Sequence, residues 1–403
     1  MPLSQAREAE LAARREDVGR LVTLGLSITE IAARLRVSPK MVKGDFDALG
    51  LMRWSDISDA HLDEKIAGYL RTGHDALGRR LLDARLVVDG LRVQRERVEQ
   101  ALARLGRLRG PPRRRTRRAW YEGVGAFFAV HVDQNEKLGF AGIKFLCAID
   151  GRWRCPLHWE VTTNLTGLTH SRFINNMIWR WKRVPAHIVL DGAAAWSRVK
   201  DILRFYYGPR FDDVAYVPLA EGCVAVRRFQ RTSSVHSTPI ERSWRDLNDV
   251  TRKYRDLFKD LEARDLFRGG RNADPLDVFC LTTVFVPVIQ RDVNEHFKSM
   301  SLRKKNKDTS NPNVPGGSRR PLEGFLFDYN HGLPASAADI ATVDANINHV
   351  FGATHVEPAA PWEIDPLTTA ASRAQRANMI ALRAPRTAEE HYLVMREATK
   401  LLR

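Results

Sequence analysis

Three acidic residues stand at the boundaries of predicted structural elements, where their side chains could act together. Asp133 and Asp191 each follow an apolar run of strand type, and Glu241 stands at the start of a predicted helix. Two carboxylates brought close together repel each other unless a divalent cation neutralises them, and Mg²⁺ or Mn²⁺ prefers such oxygen ligands. A pair of these ions, about 4 Å apart, would activate an attacking water or 3′-hydroxyl and stabilise the leaving oxygen of a phosphodiester substitution. The three acids are therefore candidate catalytic and metal-binding residues.

Each acid also has a simpler explanation in local structure. Thr238, Pro239 and Glu241 fit an N-cap, a first-turn proline and a capping-box glutamate, so helix formation alone could account for Glu241. Asp133 and Asp191 could each be a turn residue at a strand end. The metal hypothesis depends on all three acids occurring on the right elements in the right order.

The elements that must position these acids follow one another in a recognisable order. Apolar runs predict strands at 127–132, 142–149 and 157–161, and Asp150-Gly151 is a turn signal between the last two. A helix, a strand, a helix, an extended segment and a helix follow, at 173–181, 186–190, 199–207, 214–219 and 240–258. This is the order of an α/β domain of ribonuclease-H-like fold, with a mixed five-stranded sheet flanked by helices. Its first strand lies beside its fourth, which predicts Asp133 and Asp191 at the ends of neighbouring strands.

The N-terminal third reads as two small helical sets. Helices are predicted at 17–24, 28–35 and 39–49, and the capping residues are Ser27 with Glu30 before the second helix and Ser38 before the third. This pattern resembles a helix-turn-helix, whose last helix would present Lys40 and Lys43 to the DNA major groove, although a trihelical bundle for protein contacts has the same pattern. A second set of helices at 58–70, 77–86 and 93–105 is either another module that reads DNA ends or a spacer.

The charge of the chain favours a polyanionic partner. The 403 residues contain 64 Lys and Arg against 48 Asp and Glu, a formal net charge of +16, which fits nucleic acid, although a merely basic protein would also show it. Five arginines follow Pro111 and Pro112 within six positions, namely Arg113, Arg114, Arg115, Arg117 and Arg118. This run predicts a phosphate-contacting or nuclear-targeting linker, with a solvated linker as the alternative.

The cysteine pattern and the hydropathy of the chain indicate which cellular compartment to expect. None of the four cysteines forms a C-x-x-C pair, the chain begins without an apolar signal segment, and no run of about 18 apolar residues occurs. We therefore expect reduced thiols, no membrane span and a nuclear or cytoplasmic location. The cysteines are Cys147, Cys155, Cys223 and Cys280.

Several short motifs around the acids resemble one known family. These are Asp133-Gln134-Asn135-Glu136-Lys137-Leu138, the Ile149-Asp150-Gly151 turn, Ser234-Val235-His236, and the helical segment Ile240-Glu241-Arg242-Ser243-Trp244-Arg245-Asp246. They are similar to eukaryotic integrase core domain proteins, relatives of retroviral-type integrases and DDE transposases. Segments at 279–281, 284–287 and 294–297 resemble the helical part after that core, and the whole resemblance covers about 55–297.

The resemblance implies a DDE triad at Asp133, Asp191 and Glu241, two Mg²⁺ or Mn²⁺ ions, and DNA as substrate. It also implies DNA contacts from Lys137, Arg242 and Arg245, a homo-oligomer on DNA ends and a nuclear location. The leading hypothesis is a transposase or integrase that cuts and joins DNA strands. The alternatives are a domesticated DNA-bound scaffold that keeps the fold, and a nuclease acting on RNA or hybrid duplexes.

Two departures from the family pattern accompany the resemblance. The segment 192–196 reads Gly-Ala-Ala-Ala-Trp where the family carries a His-Gly-Gly-Glu-Asn type of loop, and the longer distance from Asp191 to Glu241 predicts an insertion within 205–231. The N-terminus lacks a His-His-Cys-Cys module, so we predict no structural zinc.

The predicted organisation has five parts. A helix-turn-helix domain (1–52), a second helical domain (53–110) and a basic linker (111–122) precede the catalytic core (123–300). The tail (301–403) begins with a basic loop and contains helices at 336–351 and after the Thr387 and Glu390 capping pair, which could bind a partner.

Overall fold

The structure is a computed structural model. It describes residues 5–23, 26–52, 54–71, 79–106, 125–190, 196, 198–212, 214–219, 222–227, 229–231, 238–303, 321–327, 333–352 and 364–403. The chain divides into a first unit, formed by 1–118 and 295–324, and a second unit, formed by 119–294 and 325–403. No helix in the described ranges is long and apolar enough to cross a membrane. The five-part domain organisation remains a prediction. The linker arginines lie outside the described residues, so their role in contacting phosphates or in nuclear targeting also remains a prediction.

The first unit begins with a three-helix bundle of α1 (Gln5–Thr23), α2 (Ile28–Leu35) and α3 (Pro39–Ala48). Ser27 and Glu30 form the predicted capping box of α2, and the Ser38 hydroxyl accepts a hydrogen bond from the first turn of α3. The three helices share a small apolar core. Buried Asp45 pairs with Arg14 at 2.8 Å and ties α3 to α1.

A second bundle in the same unit has its own apolar core and consists of α4 (Asp59–Arg71), α5 (Arg79–Val88) and α6 (Arg95–Arg104). The Ser58 hydroxyl caps α4, as predicted, by accepting from the backbone N–H of His61. The Tyr69 hydroxyl donates to Asp89 at 2.6 Å and links α4 to the end of α5. Burial and the neighbouring Asp89 raise the pKa of Tyr69 above its ordinary value, so the phenol stays neutral.

The second unit is built on a five-stranded sheet with strand order β3-β2-β1-β5-β8. The strands of this unit, in chain order, are β1 (Ala129–Leu138), β2 (Ile143–Asp150), β3 (Pro156–Thr162), β4 (Arg183–Val184), β5 (His187–Leu190), β6 (Val214–Leu219), β7 (Gly222–Arg227), β8 (Phe229–Arg231) and β9 (Leu333–Pro334). β1 is antiparallel to β2 and parallel to β5. This confirms the predicted mixed sheet and the pairing of its first strand with its fourth.

One predicted strand lies elsewhere. The segment 214–219 is extended, as predicted, but it pairs with β7 in a separate antiparallel hairpin, and β8 supplies the fifth strand of the main sheet. Apolar alternation predicts an extended backbone without specifying its partner. A neighbouring strand joined by a two-residue connection is the cheapest partner in loop-closure entropy, and the hairpin falls within the predicted insertion at 205–231.

Helices surround the sheet: α7 (Gly167–Trp181), α8 (Val199–Tyr207), α9 (Thr238–Ala263) and α10 (Pro275–Leu302). The Thr166 hydroxyl caps α7 by accepting from the backbone N–H of Thr169 at 3.1 Å. α9 packs against β1 and β2. The predicted apolar stripe of α9 is buried, and its members are Ile240, Trp244, Leu247, Thr251, Tyr254 and Phe258.

The tail contains α11 (Pro321–Phe327), α12 (Ala337–Gly352), α13 (Ala370–Arg383) and α14 (Ala388–Leu402). The predicted helix at 336–351 and the Thr387 and Glu390 capping box are both present. α12 packs against α7. α14 is anchored to the start of α10 because Arg396 pairs with the fully buried Asp277. This part of the tail therefore belongs to the fold of the second unit.

Candidate active site

Asp133 lies in the middle of β1 and pairs across the sheet with Cys147. The prediction that it ends the first strand is wrong, because pairing with β2 continues through Asn135 and resumes at Leu138. The polar composition of 134–137 concealed this extension, although Asn135 and Leu138 are both buried. Asp133 is therefore held within the β1–β2 pairing, which continues on either side of it along the strand, rather than by a loop.

The Asp133 carboxylate touches α9. The indole Nε1 of Trp244 donates to Oδ2 at 2.7 Å, and the backbone N–H of Gln134 donates to Oδ1 at 2.9 Å. Trp244 is buried, while Asp133 keeps an intermediate exposure. Hydrogen bonds to a charged acceptor are the stronger kind, so these donors stabilise the ionised carboxylate and fix its orientation.

Glu241 stands on the first turn of α9, and its side chain is exposed. It precedes Trp244 by three positions, so the two side chains are neighbours on one helix face. α9 thus carries Glu241 about one helical turn from the residue that contacts Asp133. The structure places two of the three predicted acids on elements that are packed together.

Asp191 and residues 192–195 lie outside the described residues. The strand before them is clear, because β5 runs parallel to β1 with Ala129 opposite His187 and His131 opposite Val189. On the far side of this gap, Trp196 is fully buried. The convergence of all three carboxylates therefore remains a prediction.

His170, which the sequence did not single out, is fully buried beside the candidate site. Its Nδ1 lies 2.6 Å from the Thr166 carbonyl oxygen, and its Nε2 lies 3.1 Å from Oε1 of Gln134, the neighbour of Asp133. Its ring meets Trp196 edge to face at 3.9 Å between centroids. His170 thus links the start of α7, the strand of Asp133 and the residue that follows the 191–195 segment. The predicted helix began only at 173, and extending its apolar stripe backwards by one turn, to position 170, was the available signal.

The hydrogen bonds of His170 orient its ring. The Thr166 carbonyl can only accept, so Nδ1 donates to it. The Gln134 amide nitrogen is directed at the Glu136 carboxylate at 3.3 Å, which leaves the amide oxygen facing Nε2.

Two buried titratable groups on β1 and β2 are held neutral. Burial, with the charge of Asp133, raises the pKa of Cys147 well above its ordinary value, so the thiol is a poor nucleophile. Burial, with the charges of Arg154 and His187, lowers the pKa of His131 to about 3. Neither group is suited to acid-base or nucleophilic chemistry near neutral pH.

The predicted DNA contacts that the structure describes are all exposed. Lys137 lies near the end of β1, Arg242 and Arg245 lie on the first turns of α9, and Lys40 and Lys43 lie on α3 of the first unit. The linker run from Arg113 to Arg118 lies outside the described residues.

Asp133 and Glu241 both offer carboxylate oxygens, which are the ligands that hard cations such as Mg²⁺ require. Among the described side chains, no cluster of three or more His, Cys, Asp or Glu is arranged to hold a metal ion. Asp191 lies outside those described residues.

Comparison with protein families gives one match. Residues 128–313 match the family model described as an integrase core domain. The matched range contains Asp133, Asp191 and Glu241, and it begins after the N-terminal helices, so it is shorter than the resemblance inferred from short motifs. No curated protein matches the chain.

Proposed function

We propose that the chain is a metal-dependent DNA transposase or integrase, because residues 128–313 match the integrase core domain family model. It would cut and join DNA strands by in-line phosphodiester substitution. One observation supports this most strongly: the hydrogen bond from Trp244 to Asp133 joins the helix of Glu241 to the strand of Asp133. This contact sets the first turns of α9 beside Asp133, as convergence of the two acids requires.

The strand register supports Asp191 as the third ligand. Asp191 directly follows β5, and β1 and β5 pair in parallel up to His131 and Val189. Continued by two positions, this register would set position 191 level with Asp133. Asp191→Asn is therefore expected to lose the same activity as Asp133→Asn.

Mg²⁺ or Mn²⁺ bound by these oxygens would supply activation of the attacking hydroxyl and stabilisation of the leaving oxygen. The chain's own residues prepare the site. Trp244 orients the Asp133 carboxylate, and the exposed Glu241 can turn towards a ligand without breaking a buried contact. Arg242 and Arg245, also exposed on the start of α9, would hold the phosphates of the bound strand.

The remaining assignments concern recognition. Lys40 and Lys43 on α3 would contact DNA in the manner of a helix-turn-helix, and the linker arginines would add phosphate contacts. We also propose that two copies of the chain act on paired DNA ends and that the protein is located in the nucleus.

The proposal is tested by separating binding from chemistry. Asp133→Asn should abolish Mg²⁺- or Mn²⁺-dependent nicking and joining while duplex affinity stays nearly unchanged, because the amide keeps the shape but removes the charge that holds the metal. Glu136→Gln is the matched control, since it neutralises an exposed acid three positions along the same strand. Equal activity losses in the two variants would contradict the metal-ligand role of Asp133.

The sequence of 192–195 favours a second candidate function. Gly-Ala-Ala-Ala contains no polar side chain, so this segment cannot position a DNA strand by side-chain hydrogen bonds. A wild-type protein that binds DNA but cleaves no end-containing substrate with either ion would act as a DNA-bound scaffold, and the enzymatic proposal would fail.

A further inference from the structure

The outward face of α7 carries cations and an exposed tryptophan. Arg172, Asn176, Trp179 and Arg180 are all exposed, and their spacing of four, three and one positions sets them on one side of the helix. Lys182, the residue that ends α7, is also exposed. The opposite side of the helix is buried in the second unit, so this face is available only to an outside partner.

The charged side chains of α7 and of the two residues after it are all cationic. No acidic residue occurs between 167 and 183, whereas Arg172, Arg180, Lys182 and Arg183 are cationic. The neighbouring Glu160 adds a negative charge at the edge of this face, where it accepts hydrogen bonds from His158 at 2.7 Å and from Asn176 at 3.0 Å. The dipole of α7 accounts for cations in its last turn, but it does not account for Arg172 near the start.

The aromatic groups on this face are arranged as stacking surfaces. Trp179 is 60% exposed, and Lys182 Nζ lies 4.6 Å from the centre of its ring. The guanidinium of Arg180 lies over the ring of Trp159 at 5.1 Å, which holds it in place. The exposed indole ring is a flat surface on which a nucleic-acid base can stack. The neighbouring cationic side chains can pair with the phosphates on either side of that base.

We propose that the outward face of α7 is a binding surface for single-stranded nucleic acid. A base stacks on the Trp179 ring, and the adjacent phosphates pair with Arg172, Arg180 and Lys182. A duplex keeps its base faces buried in the stack, so it can use only the cations. A second copy of this face would bring like charges together, which disfavours self-association here. This surface does not depend on the candidate active site and would persist in a chain without cleavage activity.

The first test compares full-length variants for affinity to a labelled oligothymidylate and to a duplex of equal length. Trp179→Ala should weaken single-strand binding by about tenfold, the loss of one stacked base, while duplex binding changes by less than about twofold. Trp179→Phe keeps an aromatic face and should restore most of the affinity. Phe205→Ala removes another exposed aromatic of the same unit and serves as the matched control.

Trp179 makes little buried contact, so these variants should fold, and circular dichroism checks this. Unchanged single-strand affinity in Trp179→Ala, or equal losses for single strand and duplex, overturns the proposal. A lowered self-association with unchanged single-strand affinity also overturns it and identifies the face as a protein interface.

A second test locates the contact directly. An oligonucleotide carrying 5-iodouridine should crosslink on irradiation to Trp179, and mass spectrometry of the digest identifies the peptide. Crosslinks confined to peptides outside α7 overturn the proposal. Failure of the metal-dependent cleavage test would leave both results unchanged, so the two proposals can fail separately.

Discussion

Asp133, in the middle of β1, and Asp150, at the end of β2, show two uses of a carboxylate in one sheet. Asp150 is fully buried at the turn after β2 and accepts backbone hydrogen bonds from Phe127 at 2.8 Å and Trp153 at 2.6 Å. Asp133 is partly exposed in mid-strand and faces the helix of another candidate ligand. The two acids lie in the same sheet, so their different roles come from their hydrogen-bond partners and their exposure. Backbone donors give Asp150 a structural role, and contact with α9 leaves Asp133 available for chemistry.

The largest stability effect is expected at the structural carboxylate. Asp150→Ala leaves two backbone N–H groups without their acceptor, and Phe127, held at a φ of +62°, loses the partner that fixes it. We expect a loss of about 4 kcal/mol in the free energy of unfolding, measured by urea denaturation. A loss below about 1 kcal/mol would show that water replaces the carboxylate and that the turn does not depend on it.

The packing beyond the end of β1 is expected to be the next most sensitive. A Cβ at Gly269 would lie 2.4 Å from the Phe140 carbonyl oxygen and 2.7 Å from the Phe267 ring. Gly269→Ala should therefore cost about 2 kcal/mol through overpacking. Gly270→Ala has open space but a φ of +66°, so it tests conformational strain instead of a clash. Wild-type stability in Gly269→Ala would mean that the β1 end is loosely packed.

Trp244 is expected to have both roles, since its buried side chain stabilises the fold and its indole N–H orients Asp133. Trp244→Phe keeps an aromatic ring but removes the indole donor, so we expect a loss of about 1.5 kcal/mol in stability. Cleavage should fall by about tenfold with little change in DNA affinity, since Asp133 loses its orientation. Full activity with lowered stability would make the contact purely structural.

His131 lies two positions before Asp133 on β1, and its protonation reports whether water is excluded from that strand. Its folded pKa of about 3 lies below the ordinary value, so the unfolded chain binds the proton more readily. Stability is therefore highest above about pH 6.5 and falls as the pH drops towards 3, with a loss of about 1.4 kcal/mol reached at pH 5.5. His131→Phe should flatten this part of the pH profile, whereas the exposed His61→Gln should not. Identical slopes in both variants would contradict the burial of His131.

The smallest stability effect is expected at Glu241. Its side chain is exposed, so Glu241→Gln should change the free energy of unfolding by less than about 0.5 kcal/mol while removing metal-dependent cleavage. A large stability loss with retained cleavage would assign Glu241 to helix capping alone.

Much of the fold was predictable because local signals and burial agree. The caps at Ser27, Ser38 and Thr387 were read from side chains that bond their own helix. The pairing of β1 with β5 followed from the order of elements. Partner choice was harder, because β6 and the three-residue β8 are distinguished by long-range pairing rather than by local pattern.

Less of the candidate site was predictable. Acid identity and order are visible in the sequence, but the Trp244 contact spans 111 positions and depends on how α9 docks. The link of His170 to Gln134 and Trp196 likewise requires three separate elements to meet. The extension of β1 past Asp133 was hidden because polar residues there satisfy strand pairing as well as apolar ones do.

The most direct test of the central claim is a crystal structure of the protein grown or soaked with Mn²⁺, using anomalous scattering to locate the ion. The account predicts Mn²⁺ bound by the Asp133 carboxylate together with Asp191 and Glu241, at metal–oxygen distances of about 2.2 Å, and its loss in Asp133→Asn crystals. A structure in which Glu241 points away from Asp133, or in which Mn²⁺ occupies only sites remote from these three acids, would contradict it.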